Sequence, residues 1–141
     1  MSRLPLLVKW LLGLIAAALL LTVVALLLQT NPPVTAEPAW DSPQTRALAQ
    51  RACFDCHSNE TVWPWYDKLP GSSWIAVFDT VRGRRELNFS QWRAGGRSRD
   101  MAEVIQRGSM PPALYTMMHP TAVLNAQEKL QLIAGLQNSL K

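Results

Sequence analysis

Two thiols three residues apart, with an imidazole directly behind the second, are the chemistry-bearing group of this chain. Cys53, Cys56 and His57 stand in "RACFDCHSNETVWPWY", residues 51–66. The 141-residue sequence has no other cysteine and one other histidine, His119. On a helical turn, positions i, i+3 and i+4 share a face. Thiols so placed can each add to one of the two vinyl groups of a haem while the neighbouring imidazole rises beneath the iron. The Cys-x-x-Cys-His pattern is that of c-type haem attachment. One haem c per chain is therefore expected, bonded to Cys53 and Cys56, with His57 as its proximal ligand.

Three other chemistries use similar residues. A thioredoxin-like dithiol needs a βαβ frame, and no segment here alternates with period two. A zinc site needs four ligands. Cys53, Cys56, His57 and His119 supply the number, but the adjacent Cys56-His57 pair fits none of the usual finger spacings. Exported thiols commonly pair as structural disulfides, yet two residues this close would staple almost nothing.

Haem iron takes a second axial ligand or leaves that position open. The second half of the chain offers Met101, Met110, Met117, Met118 and His119. Met101 falls on the inward stripe of a predicted helix. Met117 and Met118 lie in a loose stretch, where methionine commonly fills gaps. Met110 precedes Pro111-Pro112, which deny helix and favour an extended strap, and it is the favoured distal ligand. His119 is the alternative. The choice matters because Met/His ligation raises the reduction potential above that of two imidazoles.

Around the iron, His57 should donate its other ring N–H to a backbone carbonyl, with those of residues 62–64 as candidates. Trp63, Trp65 and Tyr66 could wall the porphyrin and bond its propionates. Trp74, Phe78 and Trp92 read as core. A basic band, Arg82, Arg84, Arg85, Arg93, Arg97 and Arg99 against Glu86 alone, either serves the propionates or an acidic partner or is a solvated helix end.

These residues need elements to hold them. From Trp10 to Leu28 nineteen residues carry no charge, enough to cross roughly 30 Å of hydrocarbon as a helix. Arg3 and Lys9 precede this run and the next basic residue is Arg46, so the N-terminus should stay cytoplasmic and the remainder be exported. A cleaved signal peptide is the rival, although its apolar core is usually only about 7–15 residues. The chain's net charge is +4, and Arg3 and Lys9 account for half of it, so nothing asks for nucleic acid.

Residues 1–29 thus form a stub and membrane anchor, residues 30–41 a proline-rich tether reaching on the order of 40 Å, and residues 42–141 the haem domain. Ser42-Pro43 should cap a helix running to about His57. A second fits residues 73–85, with Trp74, Val77, Phe78 and Val81 inward. "LNFSQW" suggests a short helix capped by Ser90. Ser98 opens another helix, with Met101, Val104 and Ile105 inward and Gly108 as its stop. "SMPPALYTMMHP" should be irregular. Asn125 with Glu128 forms a capping-box variant before a last helix carrying Leu130, Ile133, Ala134 and Leu140. The expected fold is all-α, a small cytochrome c-like domain with long ordered loops behind one transmembrane helix.

Taken together, "NPP", "CFDCHSNETVWPWY", "SW", "GRRELNFSQW", "MPP" and "HPTAVLNAQEK" resemble the haem-binding-domain family of small, often membrane-anchored bacterial c-type cytochromes, over residues 31–138. The chain departs from that pattern at "LPGSSW", where a proline is expected nearer the Ser-Trp pair. The resemblance implies covalent haem at Cys53 and Cys56 with His57 proximal; Met110 and His119 both fall in family-like motifs. The expected function is single-electron transfer at the outer face of the cytoplasmic membrane, with a redox partner protein in the membrane or periplasm. A haem sensor or peroxidase-like protein with a labile distal ligand is the alternative.

Overall fold

The computed structural model describes residues 5–92 and 98–139, the side chains at 98 and 99 excepted. Arg3, Arg93, Arg97, Leu140 and the side chains of Ser98 and Arg99, all part of the expectations above, lie outside the described residues. Among the described residues seven α-helices carry the fold and no strand forms; Ala36 and Gln91 make an isolated bridge. The expectation of an all-α domain behind one apolar helix is met.

Helix α1, Leu6–Leu28, starts four residues before the uncharged run and takes in Lys9. It pairs its own backbone groups and is long and apolar enough to cross a membrane. Its last two turns are the part that touches the domain: Thr22 and Ala25 are buried, and α4 (Ser72–Glu86) packs there.

Helix α2, Pro43–Ala52, begins as expected, the Ser42 hydroxyl accepting from the Thr45 N–H at 3.1 Å. It does not run on to His57. Cys53 leaves helical geometry (φ −130°, ψ −30°) and a separate turn, α3, covers Phe54–His57. The reason is Phe54. At about 100° per residue, an unbroken helix would set position 54 opposite the buried Thr45, Leu48, Ala49 and Ala52. The break turns Phe54 into the core, stacked on Phe89 with Trp40 beside both.

In α4 the expected inward stripe is corrected. Ser73, Val77, Thr80 and Gly83 are buried, while Trp74, Phe78 and Val81 face outward. Gly83 meets α3 so closely that a Cβ there would overlap the Cys56 carbonyl. Only a face of small residues allows that approach, so the bulky ones turn away. "LNFSQW" is likewise not a helix. The Phe89 N–H donates to the His57 carbonyl at 2.8 Å, and the Ser90 carbonyl accepts from the N–H groups of Thr35 and Ala36.

Those last two bonds also bear on the proline-rich segment. Residues 29–41 do not hang free. The Asn31 side-chain amide donates to the Thr61 carbonyl, that of Asn59 to the Pro33 carbonyl, and Trp40 packs against the core. The segment is a strap along the domain, because satisfying its carbonyls and burying Trp40 outweigh the entropy of a loose linker.

Helix α5 (Ser98–Gln106) is followed by Gly108 at φ +72°, and Met101 and Ile105 are buried. The stretch expected to be irregular contains α6 (Ala113–Met118), which starts directly after Pro112. Before α7 (Ala126–Ser139), the capping box forms with both bonds at 2.9 Å, Asn125 N–H to Glu128 Oε2 and Glu128 N–H to Asn125 Oδ1. Its buried face is Leu132, Ile133 and Leu136; Leu130 and Ala134 point outward, one step off the expected register. The core joins Leu48, Phe54, Phe89, Met101, Ile105, Leu132 and Leu136.

Candidate functional site

The break at Cys53 and the close approach of Gly83 leave an opening on one side of α3. A cavity of about 920 Å³ is lined there by Cys53, Cys56 and His57, by Gly83 to Phe89 from the end of α4, by Met101 and Ile105 from α5, and by Met110 and Tyr115. Its volume is at the upper end of ligand pockets, about 300–1,000 Å³. The three residues singled out first, and the favoured distal methionine, converge on it. Met110 is 39% exposed, held by its N–H on the Val104 carbonyl at 3.2 Å.

The thiols are free and half-buried. Burial raises the pKa of each to about 12; Cys56 raises that of Cys53 further, and Asp79, Asp55 and Asp67 that of Cys56, with Arg84 opposing. A reactive dithiol needs the opposite shift. For His57, burial lowers the pKa, against the Leu87 and Gly83 carbonyls and Glu86, which raise it. The ring is therefore neutral, as a metal ligand must be. Its Nδ1 donates to the Leu87 carbonyl at 3.1 Å, leaving Nε2 as the nitrogen able to ligate. The expected acceptor at residues 62–64 is corrected: the turn after α4, not the tryptophan loop, lies against the ring.

His119 sits elsewhere. Its Nδ1 donates to the Tyr115 carbonyl at 3.0 Å, so Nε2 is the acceptor for the Tyr66 hydroxyl at 2.8 Å, and the ring stacks on Tyr115 at 4.0 Å between centroids. Both nitrogens are occupied, and the residue does not line the cavity. Nor do Trp63, Trp65 and Tyr66. Trp63 donates its indole N–H to Asn31 Oδ1, Tyr66 is held by His119, and Trp65 faces outward. Their loop is drawn to the strap and to α6 rather than to the thiols.

Of the basic band, Arg82, Arg84 and Arg85 line the cavity together with Asp79, Glu86 and Asp100. Arg84 is spent on structure: its guanidinium donates to the Ser58 and Thr30 carbonyls at 2.7 and 2.9 Å and to Thr61 Oγ1. Trp92, expected as core, is partly buried and packs on the core beside the cavity.

Tyr115 is a lining residue that the sequence did not announce. Its hydroxyl donates to Asp55 Oδ2 at 2.7 Å, and Asp55 Oδ1 accepts the Val62 N–H. Burial first, then Asp55, holds the phenol well above its ordinary pKa. Two thiols, a neutral imidazole and an apolar-floored cavity form a donor set suited to haem, and the carbonyl on Nδ1 fixes the ligand as such sites require.

A family model for a haem-binding domain matches residues 17–138. The cytochrome c peroxidase Ccp of Escherichia coli (strain K12) is 24% identical over 98 residues, which cover 63% of this chain and 21% of that protein. The chain thus spans about a fifth of the length of that relative. No solved structure matches it.

Proposed function

The chain belongs to the haem-binding-domain family, and from that premise we propose that it is a monohaem c-type cytochrome carrying single electrons at the outer face of the bacterial cytoplasmic membrane. The observation that carries this reading is the meeting of Cys53, Cys56, His57 and Met110 on one cavity. The haem, when bound, supplies one-electron iron chemistry. The chain's own residues do the rest. Cys53 and Cys56 would hold the haem through thioether bonds, each S–H adding across one vinyl group so that one vinyl carbon takes the sulfur and its neighbour the hydrogen. His57 would ligate through Nε2, with the Leu87 carbonyl on Nδ1 holding the ring's angle and raising its basicity. Met110, partly exposed on the same cavity, would offer its thioether as the second donor, and His119, locked between two tyrosines, is held away from that role. Arg82 and Arg85, which line the cavity, would meet the propionates. Helix α1 anchors the chain, its cytoplasmic end marked by Lys9.

The test is a pair of absorption spectra, wild type against Met110→Ala, in both oxidation states, with the intact mass of each. The wild type should carry the mass of one haem and be low-spin; the variant should keep the mass and turn high-spin. An unchanged spectrum removes Met110 from the iron, and a bare polypeptide mass from a competent exporting host removes the cofactor reading altogether.

A second reading, peroxide chemistry at a labile distal position, is favoured by the likeness to a cytochrome c peroxidase and by the partial exposure of Met110. Steady peroxide turnover by the wild type, undiminished in Met110→Ala, would favour it over electron carriage.

A further inference from the structure

We propose that the first half of α4 and the 3₁₀ turn before it, Trp65–Lys68, form a lipid-contacting surface that seats the haem domain against the bilayer. The proposal rests on the membrane-anchor reading above and gives it a geometry, replacing a swinging tether with a docked domain. The uncharged run of α1 measures about 28 Å at 1.5 Å per residue, barely the thickness of the hydrocarbon core. All of it is needed to span. Thr22 and Ala25, the residues buried where α4 packs, then lie about 4–9 Å inside the edge of the core. Whatever packs on them reaches the outer layer of the hydrocarbon, the depth to which an interfacial helix buries its apolar face.

What packs there is apolar on its outer side. Trp74, Ile75 and Phe78 occupy one side of α4, the last two 51% and 63% exposed. Beside them Trp65 is 73% exposed, and Leu69 is also exposed. The 3₁₀ turn is tied to the end of α1 by the Gln29 side-chain amide, which donates to the Asp67 carbonyl at 2.6 Å. Five large apolar side chains grouped beside an apolar helix mark a membrane contact rather than ordinary scatter. Tryptophans at its margin match the preference of indole for the lipid–water boundary. Exposed Lys68 stands between Trp65 and Leu69, where its ammonium can meet lipid phosphates. The same α4 lines the haem cavity with Arg82 to Glu86, one to two turns further along, so seating its first half would hold the cavity at a set height and angle.

The experiment uses the full haem-loaded chain in nanodiscs of phosphatidylcholine and phosphatidylglycerol, with p-benzoylphenylalanine replacing Phe78, Ile75, Leu19 in α1 or Leu130 on α7, one at a time. Irradiation followed by intact mass should give lipid adducts at 78, 75 and 19, roughly fivefold or more above those at 130. Adducts at 19 without any at 78 or 75 overturn the seated surface and leave the anchor standing. Absence at all of them overturns both. Cross-links from 78 to a second copy of the chain would make the face a protein interface and overturn the lipid assignment as well.

Discussion

At Cys53 and Cys56 the environment suppresses thiol chemistry, since burial raises both pKa values to about 12. Haem-free folded protein should therefore react with iodoacetamide at pH 8 on the order of a hundredfold more slowly than an ordinary thiol of pKa about 8.5, the smaller thiolate fraction outweighing the greater nucleophilicity of a more basic sulfur. Mass-detected alkylation at the ordinary rate would refute that burial. His57 makes a second prediction. Its pKa in the fold is lowered by burial, so as pH falls through about 6.5 the unfolded chain takes a proton that the folded one resists. Haem-free protein should lose stability from there down to the lowered folded value and keep it above pH 7. Thermal melts at pH 7.5 and 5.5 check this. The cysteines and His57 were legible because their chemistry is written in spacing alone. The Leu87 carbonyl and Tyr115 were not, since a backbone oxygen has no sequence signature and a lone tyrosine after two prolines has many uses.

Helix packing decides how tightly that group is held. Gly83 lies against the Cys56 carbonyl, so Gly83→Ala should push α4 off α3 and cost about 1–3 kcal/mol, read as a lower denaturation midpoint. A variant as stable as wild type would mean that the two helices can part without strain. The capping box before α7 is the simpler case. Asn125→Ala removes one of two reciprocal bonds and should cost about 1 kcal/mol. The caps at Ser42 and Asn125 were readable because a side chain and its helix end are neighbours in sequence. The break at Cys53 was not. It answers to Phe54 meeting Phe89, a contact across thirty-five positions that a local period cannot contain.

For the whole molecule, the strap moves the working boundary of the domain. Trp40 lies against Phe54 and Phe89, so a chain starting at residue 42 should be less stable than one starting at residue 30 by about 2–3 kcal/mol. Equal melting temperatures would restore the free tether. Electron transfer to an acidic partner, if Arg82 and Arg85 steer it, should slow as ionic strength rises; flat rates from low to high salt would remove the steering role.

Read alone, the order of residues determined that this chain has an apolar span, a helical domain and a thiol–thiol–imidazole group made for haem, because each depends on spacing within a few turns of one another. Folding in three dimensions decided which carbonyl meets that group, that Met110 lines the same cavity while His119 and the tryptophan loop turn elsewhere, and that the bulky side of α4 faces out. Those outcomes come from competition for one small core, where a glycine-sized gap between two helices settles which neighbours fit.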